Sequence, residues 1–133
     1  MNVREKSAAF HEKGFNCAQS VLAALEEYTG MDSKTALSLA GGLGGGLKSG
    51  EVCGAISGAV IALSLCFPYC DSEHPEDKDR IYKLAAQCVK RCREKCGKVT
   101  CRDLMVQEHG NGGCRRFVCD CAEIAEEMIK ENK

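Results

Sequence analysis

The chain of 133 residues has no tryptophan, two prolines, three tyrosines and four phenylalanines. So few aromatic rings leave little to stack against nucleic acid bases. The net charge is −1, and acidic and basic residues are interspersed along the chain. A basic surface for nucleic acid or anionic lipid is therefore missing. The composition predicts that nucleic acid is not a partner.

Long hydrophobic segments are also missing. The longest apolar run, residues 55–67, is interrupted by Ser57, Gly58 and Ser64 and is too short to cross a bilayer. The first 15 residues are rich in charge and contain no apolar stretch, which is unlike a signal or transit peptide. We therefore expect a cytoplasmic protein.

Cysteine, in contrast, is abundant, with 11 residues in the chain. In a reducing compartment such cysteines remain thiols or bind metals, and the odd number also argues against a complete disulfide framework. A chain of this length can bury roughly 68% of the surface that its unfolded form exposes. We therefore predict a single cysteine-rich helical domain over residues 1–133, stable without disulfides.

The apolar residues recur with helical periodicity, and no alternating segment is long enough to predict a strand. The expected fold is all-α, a single compact bundle of about six to seven helices. The segment from Gly41 to Gly50 contains too many glycines for a stable helix and is predicted to be a loop. A second loop is predicted over 109–113. The predicted helices span about 2–13, 17–28, 33–40, 53–66, 76–95, 101–107 and 114–130.

Four cysteines fall at predicted helix starts: Cys17, Cys53, Cys101 and Cys114. The positive end of the helix dipole and the unpaired amide groups there favour a thiolate over a thiol. If these helix ends converge, they would form a pocket suited to a metal, an iron-sulfur centre or a redox-active thiol pair.

The segment Cys53-Gly54-Ala55-Ile56-Ser57-Gly58 places two glycines four residues apart after a cysteine. Gly54 and Gly58 share a helix face and allow another backbone to approach closely, although helix packing alone would also explain them. With Gly14-Phe15-Asn16-Cys17-Ala18-Gln19 and the glycine-rich segment, this motif resembles the C_GCAxxG_C_C family of redox-active proteins over almost the whole chain.

The resemblance assigns the four characteristic cysteines of the family to Cys17, Cys53, Cys101 and Cys114, with Cys119 as the substitute for Cys114. It implies a redox or iron-sulfur role, and an association with membrane transporters. A homodimer is expected only because bundles of this size often dimerise.

Three functions remain open. The first is electron transfer by an iron-sulfur cluster on Cys17, Cys53, Cys101 and Cys114, since four thiolates are its usual ligand set. The second is a thiol-disulfide oxidoreductase or redox sensor with Cys53 and Cys17 as reacting thiols. The third is a structural zinc module, although closely spaced zinc-ligand pairs are absent among the four. An oxidoreductase or electron carrier would need a redox partner. In every case the four sulfurs should lie within roughly 7 Å of one another.

A second candidate metal site consists of Cys88, Cys92 and Cys96, which share one helix face at intervals of four residues. The ends of this ladder are about 12 Å apart along the axis, too far to bind the same ion. Free cysteines are also ordinary core residues, and in that case all three should be buried. A neighbouring pair could instead share a metal with Cys66, Cys70 or Cys101.

Charged neighbours add two further hypotheses. Arg102, Arg115 and Arg116 flank two of the four cysteines and could lower their thiol pKa values. His109 lies shortly before Cys114 and could supply a ligand or a proton, although a surface position is the simpler interpretation.

Overall fold

Helices dominate the computed structural model, which describes residues 1–107 and 114–133. Over these residues the only β-type pairing is an isolated antiparallel bridge between Val52 and Thr100, so the predicted all-α fold is confirmed. The eight α-helices of the described residues are α1 (Val3–Glu12), α2 (Cys17–Ala24), α3 (Glu26–Thr29), α4 (Ser33–Ala40), α5 (Gly54–Cys66), α6 (Pro75–Cys96), α7 (Cys101–Gln107) and α8 (Arg115–Asn132).

The sequence predicted one helix where the structure has α2 and α3. Leu25 separates them because its backbone (φ −101°, ψ 18°) leaves the helical region, and its amide donates to the carbonyl of Leu22. The Leu25 side chain is fully buried. Burial of this leucine in the core therefore accompanies a break that the helical periodicity did not reveal.

Side-chain caps set the starts of the first helices. Asn16 accepts a hydrogen bond from the amide of Gln19, and the Gln19 side chain accepts one from the amide of Asn16, at 2.9 Å each. This reciprocal capping satisfies two amides that a helix start leaves unpaired. It fixes Cys17 as the first residue of α2.

Helices α2 and α5 pack closely through small residues. A Cβ atom on Gly58 would lie 2.8 Å from the carbonyl oxygen of Ala18, and one on Gly54 would lie 3.3 Å from the amide nitrogen of Ala18. Both glycines therefore face the residue that follows Cys17. The CGAxxG motif brings the starts of α2 and α5 together by this backbone contact.

Helix α8 packs against α1, α2, α5 and α6 and contributes a continuous buried face that includes Phe117 and Met128. Arg4 on α1 pairs with Asp120 at 2.9 Å and with Glu123 at 3.3 Å. Asp120 is buried, so this ion pair satisfies a carboxylate that would otherwise be costly to bury. The packing holds the first and last helices side by side.

The glycine-rich segment separates α4 from α5. It was predicted to be a loop, but it contains short helical turns at Gly41–Leu43 and Gly46–Gly50. Leu47 and Lys48 adopt left-handed backbone angles with φ of 61° and 58°. Such angles are uncommon for residues with a side chain. The other predicted loop, 109–113, lies outside the described residues.

Across the described part of the chain, none of the helices has both the length and the apolar character needed to cross a membrane.

Candidate functional site

The four cysteines assigned from the sequence all lie at helix starts. Cys17 and Cys101 are the first residues of α2 and α7, and Cys53 and Cys114 immediately precede α5 and α8. The prediction that these four cysteines lie at helix starts is confirmed.

Cys17 and Cys114 are in direct contact. Their sulfur atoms are 2.7 Å apart although the two residues are separated by 97 positions in the sequence. Both are free thiols, Cys17 buried and Cys114 partly exposed. A buried thiol therefore sits directly behind one that solvent can reach.

His11, near the end of α1, completes a group of three. Its Nε2 lies 3.5 Å from the sulfur of Cys114, and its Nδ1 accepts a hydrogen bond from Nε of Arg115 at 3.3 Å. Nε2 of the ring therefore faces the sulfur of Cys114. The potential ligand atoms of His11, Cys17 and Cys114 all lie within 4.8 Å of one another.

The two contacting thiols differ strongly in acidity. The hydrogen bond from Cys17, assisted by the charge and hydrogen bond of His11, lowers the pKa of Cys114 to about 6 despite its partial burial. The same hydrogen bond and the burial of Cys17 raise the pKa of Cys17 far above its usual range. At neutral pH the pair therefore consists of a Cys114 thiolate and a Cys17 thiol.

Backbone hydrogen bonds hold the segments that carry Cys53 and Cys101 against each other. The amide of Cys53 donates to the carbonyl of Val99 at 2.7 Å, and the amide of Cys101 donates to the carbonyl of Glu51 at 2.6 Å. These bonds flank the antiparallel bridge between the two segments. Both cysteines lie near enough to Cys114 for its negative charge to raise their pKa values, but neither belongs to the group that lies within 4.8 Å.

The helix start alone does not determine the acidity of Cys53. Burial raises the pKa of Cys53 to about 11, although the amides of Ala55 and Ile56 at the helix start act in the opposite direction. Burial also raises the pKa of Cys101, against a smaller opposing effect of Lys48. The sequence-based expectation that all four helix starts favour thiolates is therefore wrong for three of them. Desolvation raises the pKa values of Cys53 and Cys101, and the hydrogen bond to Cys114 together with burial raises that of Cys17.

Cys119, the substitute for Cys114, faces α1 instead. Its sulfur accepts a hydrogen bond from the Ser7 hydroxyl at 3.8 Å and donates to the carbonyl of Arg4 at 3.5 Å. The structure therefore brings Cys114, and not Cys119, to Cys17.

A second group of thiols lies between α6 and α8. Cys88, Cys92 and Cys96 are buried, with at most 3% of each residue exposed, as expected for core residues. The thiol of Cys121 on α8 interacts with those of Cys92 and Cys96, which raises the pKa of Cys121 and lowers the pKa values of Cys92 and Cys96. The interaction with Cys92 also raises the pKa of Cys88.

Sequence reasoning missed Cys121 as a member of this group. The sequence carried no signal for this, since Cys121 lies on α8 and no local spacing relates it to the three cysteines of α6. The other cysteines proposed to share a site with the ladder lie elsewhere: Cys66 donates to the carbonyl of Tyr28, and Cys70 is exposed.

His11 was also missed as a site residue. Its position three residues before Gly14 places it next to the segment that carries Cys17, which was the only signal available. The proposed role of His109 lies outside the described residues.

The flanking arginines act less directly than the sequence suggested. Arg115 contacts His11 and so orients the ring beside Cys114. Arg102 donates to the carbonyl of Ser49. The charge of Arg116 helps to lower the pKa of Cys96, which belongs to the second group of thiols.

One protein-family model matches residues 15–128, and its description reads "Putative redox-active protein (C_GCAxxG_C_C)". The match spans all four assigned cysteines and the thiol group between α6 and α8. No curated protein and no solved structure matches the chain.

Proposed function

Since the chain belongs to the C_GCAxxG_C_C family, we propose that it is a dithiol-disulfide redox protein in which Cys114 attacks and Cys17 resolves. The observation that carries this proposal is the contact between their sulfur atoms at 2.7 Å. It refines the second function considered from the sequence and moves the reacting pair from Cys53 and Cys17 to Cys114 and Cys17.

The roles of the two thiols follow from their solvent exposure and their acidity. An attacking thiol works best when its pKa is near the ambient pH, and the pKa of Cys114 is lowered to about 6 by Cys17 and His11. Cys17 is 7% exposed and keeps its proton. An external disulfide would therefore meet Cys114 first.

The proposed dithiol-disulfide exchange requires no metal. The Cys114 thiolate attacks one sulfur of an external disulfide, forms a mixed disulfide and releases the other half as a thiolate. Cys17 then loses its proton and attacks the sulfur of Cys114, which forms the Cys17–Cys114 disulfide and releases the second external thiolate. The external disulfide gains two electrons and leaves as two thiolates, and the protein loses two electrons and the one proton of Cys17, which passes to solvent. A reduced dithiol partner of the same chemical class would restore the starting state.

Cys53 and Cys101 support this chemistry by staying neutral. Their raised pKa values leave them as thiols at neutral pH. They therefore add no negative charge beside Cys114, where a further thiolate would raise its pKa.

A metal centre is the second candidate, and the group of His11, Cys17 and Cys114 favours it. Cysteine sulfur and imidazole nitrogen are suitable ligands for zinc or iron. The iron-sulfur cluster favoured by the sequence would also require Cys53 and Cys101 as ligands. In that case the Cys17–Cys114 contact would have to open to admit the cluster.

Protein purified without oxygen distinguishes the redox pair from the metal centre. For the redox pair we expect a colourless, metal-free protein that glutathione disulfide converts to a form with one new disulfide, mapped by mass spectrometry to Cys17 and Cys114. A broad visible charge-transfer band with stoichiometric iron would establish the cluster, and stoichiometric zinc that blocks oxidation would establish the metal site.

Single substitutions separate the two thiol roles. Cys17→Ser should trap a mixed disulfide with glutathione on Cys114, because the resolving thiol is absent. Cys114→Ser should form no adduct at this site, and Cys119→Ser, a control on the same helix, should behave like the unchanged chain. An unchanged disulfide yield in Cys114→Ser would rule out the proposed pair.

A further inference from the structure

Arg115 is an exposed cation beside the proposed attacking thiol. Its Nε donates a hydrogen bond to Nδ1 of His11 at 3.3 Å, and Nε2 of the same ring lies 3.5 Å from the sulfur of Cys114. The width of one imidazole ring therefore separates the guanidinium of Arg115 from the attacking sulfur.

Most of the hydrogen-bonding capacity of Arg115 is unused. The contact with His11 takes one of the five N–H donors of the guanidinium. Among residues 1–107 and 114–133, no carboxylate forms an ion pair with Arg115 and no other group accepts a hydrogen bond from it. The two terminal nitrogens, which carry the other four donors, are therefore available as a fork for a carboxylate from outside the chain.

The charges of the neighbouring chain segments do not offset this cation. The first turns of α2 and α8 contain no acidic residue. At the end of α1 the adjacent charges of Glu12 and Lys13 offset each other. Arg115 therefore gives the surface beside Cys114 a positive charge, which attracts anionic substrates and repels cationic ones.

Disulfides of cysteine-containing peptides carry carboxylates close to the reacting sulfur. In glutathione disulfide a glycine carboxylate follows each cysteine residue directly, and one residue of extended chain spans about 3.3–3.6 Å. The cysteine side chain adds a similar length. A carboxylate of such a substrate can therefore reach across one imidazole ring from the sulfur that Cys114 attacks.

We propose that Arg115 selects small disulfides that carry carboxylates, by binding a substrate carboxylate while Cys114 attacks the substrate sulfur. This inference rests on the proposed redox pair and names the substrate class of that pair. The two terminal nitrogens of Arg115 hold the carboxylate, and Nε keeps its hydrogen bond to His11. The bound carboxylate takes no part in the transfer of electrons or protons.

The test compares disulfides of different charge in the Cys17→Ser background, where the adduct on Cys114 is trapped. The three probes are glutathione disulfide, which is anionic, 2-hydroxyethyl disulfide, which is neutral, and cystamine, which is cationic. Mass spectrometry gives the rate of adduct formation on Cys114 for each.

Arg115→Gln should change the preference among these probes. The ratio of the glutathione disulfide rate to the 2-hydroxyethyl disulfide rate should fall by about fivefold, the upper end for an exposed ion pair, and the corresponding ratio for cystamine should rise. Loss of the contact with His11 alters all three rates alike, so these ratios report only the recognition of substrate charge.

Arg116→Gln is the matched control because it removes the same charge from the next residue. The guanidinium of Arg116 lies over the Phe117 ring, 5.0 Å from its centroid, and the substitution should leave both ratios close to those of the Cys17→Ser chain. Arg115→Lys should retain part of the preference, since lysine keeps the charge without the fork. Added salt should weaken the preference for glutathione disulfide where Arg115 is present, because it screens exposed charges.

The outcomes separate the substrate preference from the redox pair. Ratios that Arg115→Gln leaves unchanged would overturn selection by Arg115 while the redox pair stands. An equal fall in the Arg116→Gln variant would also overturn it, since the preference would then reflect the overall positive charge and not the fork. If none of the three disulfides modifies Cys114, the redox pair itself fails and the selection fails with it.

Discussion

Neighbouring side chains control the acidity of the site thiols more strongly than helix ends do. Cys53 and Cys114 both precede a helix, yet the pKa of buried Cys53 is raised to about 11 by desolvation. The pKa of Cys114 is lowered to about 6 chiefly because Cys17 donates a hydrogen bond to it. The reactive residue is therefore identified by its partner rather than by its position.

The pH dependence of alkylation should report this difference. The pKa of Cys114 in the folded protein is lowered to about 6, so its thiolate is present above about pH 6 and is lost as the pH falls through that value. The rate of iodoacetamide labelling at Cys114, followed by peptide mass spectrometry, should rise with a midpoint near pH 6. A midpoint near pH 9 would contradict the proposed thiol pair.

The contribution of His11 can be separated in the same assay. His11→Ala removes the hydrogen bond and the charge that help to lower the pKa of Cys114, so the midpoint should move to higher pH. His74→Ala serves as the control because His74 is exposed and pairs with Asp71 and Glu76. Equal midpoints in the two variants would show that His11 does not influence the pKa of Cys114.

At the scale of elements, the packing of α2 on α5 connects the glycine motif to the site. Gly58 faces the backbone of Ala18, and Gly54 faces both Ala18 and the carbonyl of Leu43. The motif glycines thus allow the backbones of α2 and α5 to approach each other closely. This approach places Cys17 and Cys53 at the same end of the two helices.

Gly58→Ala should destabilise the protein. The new methyl group would lie 2.8 Å from the Ala18 carbonyl oxygen, and overpacking of this kind costs about 1–3 kcal/mol, which exceeds the gain of about 1 kcal/mol in helix propensity. Urea denaturation should show a lower midpoint. Gly42→Ala is the control, since no atom lies within 4 Å of a Cβ at that position. A midpoint unchanged by Gly58→Ala would contradict the close packing.

Helix starts and ends were predictable where their signals are local. Asn16 and Gln19 form a capping pair within four residues, and Gly30 ends α3 in a left-handed conformation. The break at Leu25 was not predictable, since a leucine with helical periodicity on both sides carries no signal for it. Here the break coincides with full burial of the leucine side chain in the core.

At the scale of the whole molecule, contacts between distant segments assemble both thiol groups. Cys114 meets Cys17 and His11 because α8 packs on α1 and α2, and Cys121 meets Cys92 because α8 also packs on α6. The resemblance to a known family indicated the four characteristic cysteines. It could not indicate which of them touch, since no local spacing encodes a contact across 97 positions.

Oxidation of the Cys17–Cys114 pair should stabilise the fold. A disulfide that closes a loop this long restricts the unfolded chain, and the typical stabilisation is about 2–4 kcal/mol. Thermal unfolding followed by circular dichroism should give a higher Tm for the oxidised form than for the reduced form.

Cys17→Ser provides the reference for that comparison. The same oxidising treatment should leave its Tm unchanged, because the disulfide cannot form. A Tm of the unaltered chain that falls on oxidation would mean that the bond strains the native packing instead of fitting it.

The separation of Cys17 and Cys114 along the chain also bears on the order of events during synthesis. Helices such as α2 form from local contacts within microseconds, whereas Cys114 is added 97 positions after Cys17. The growing chain therefore carries Cys17 without its partner while these positions are synthesised, and the acidic Cys114 thiol arises only when α8 docks. Docking of α8 and activation of the reactive thiol are the same event.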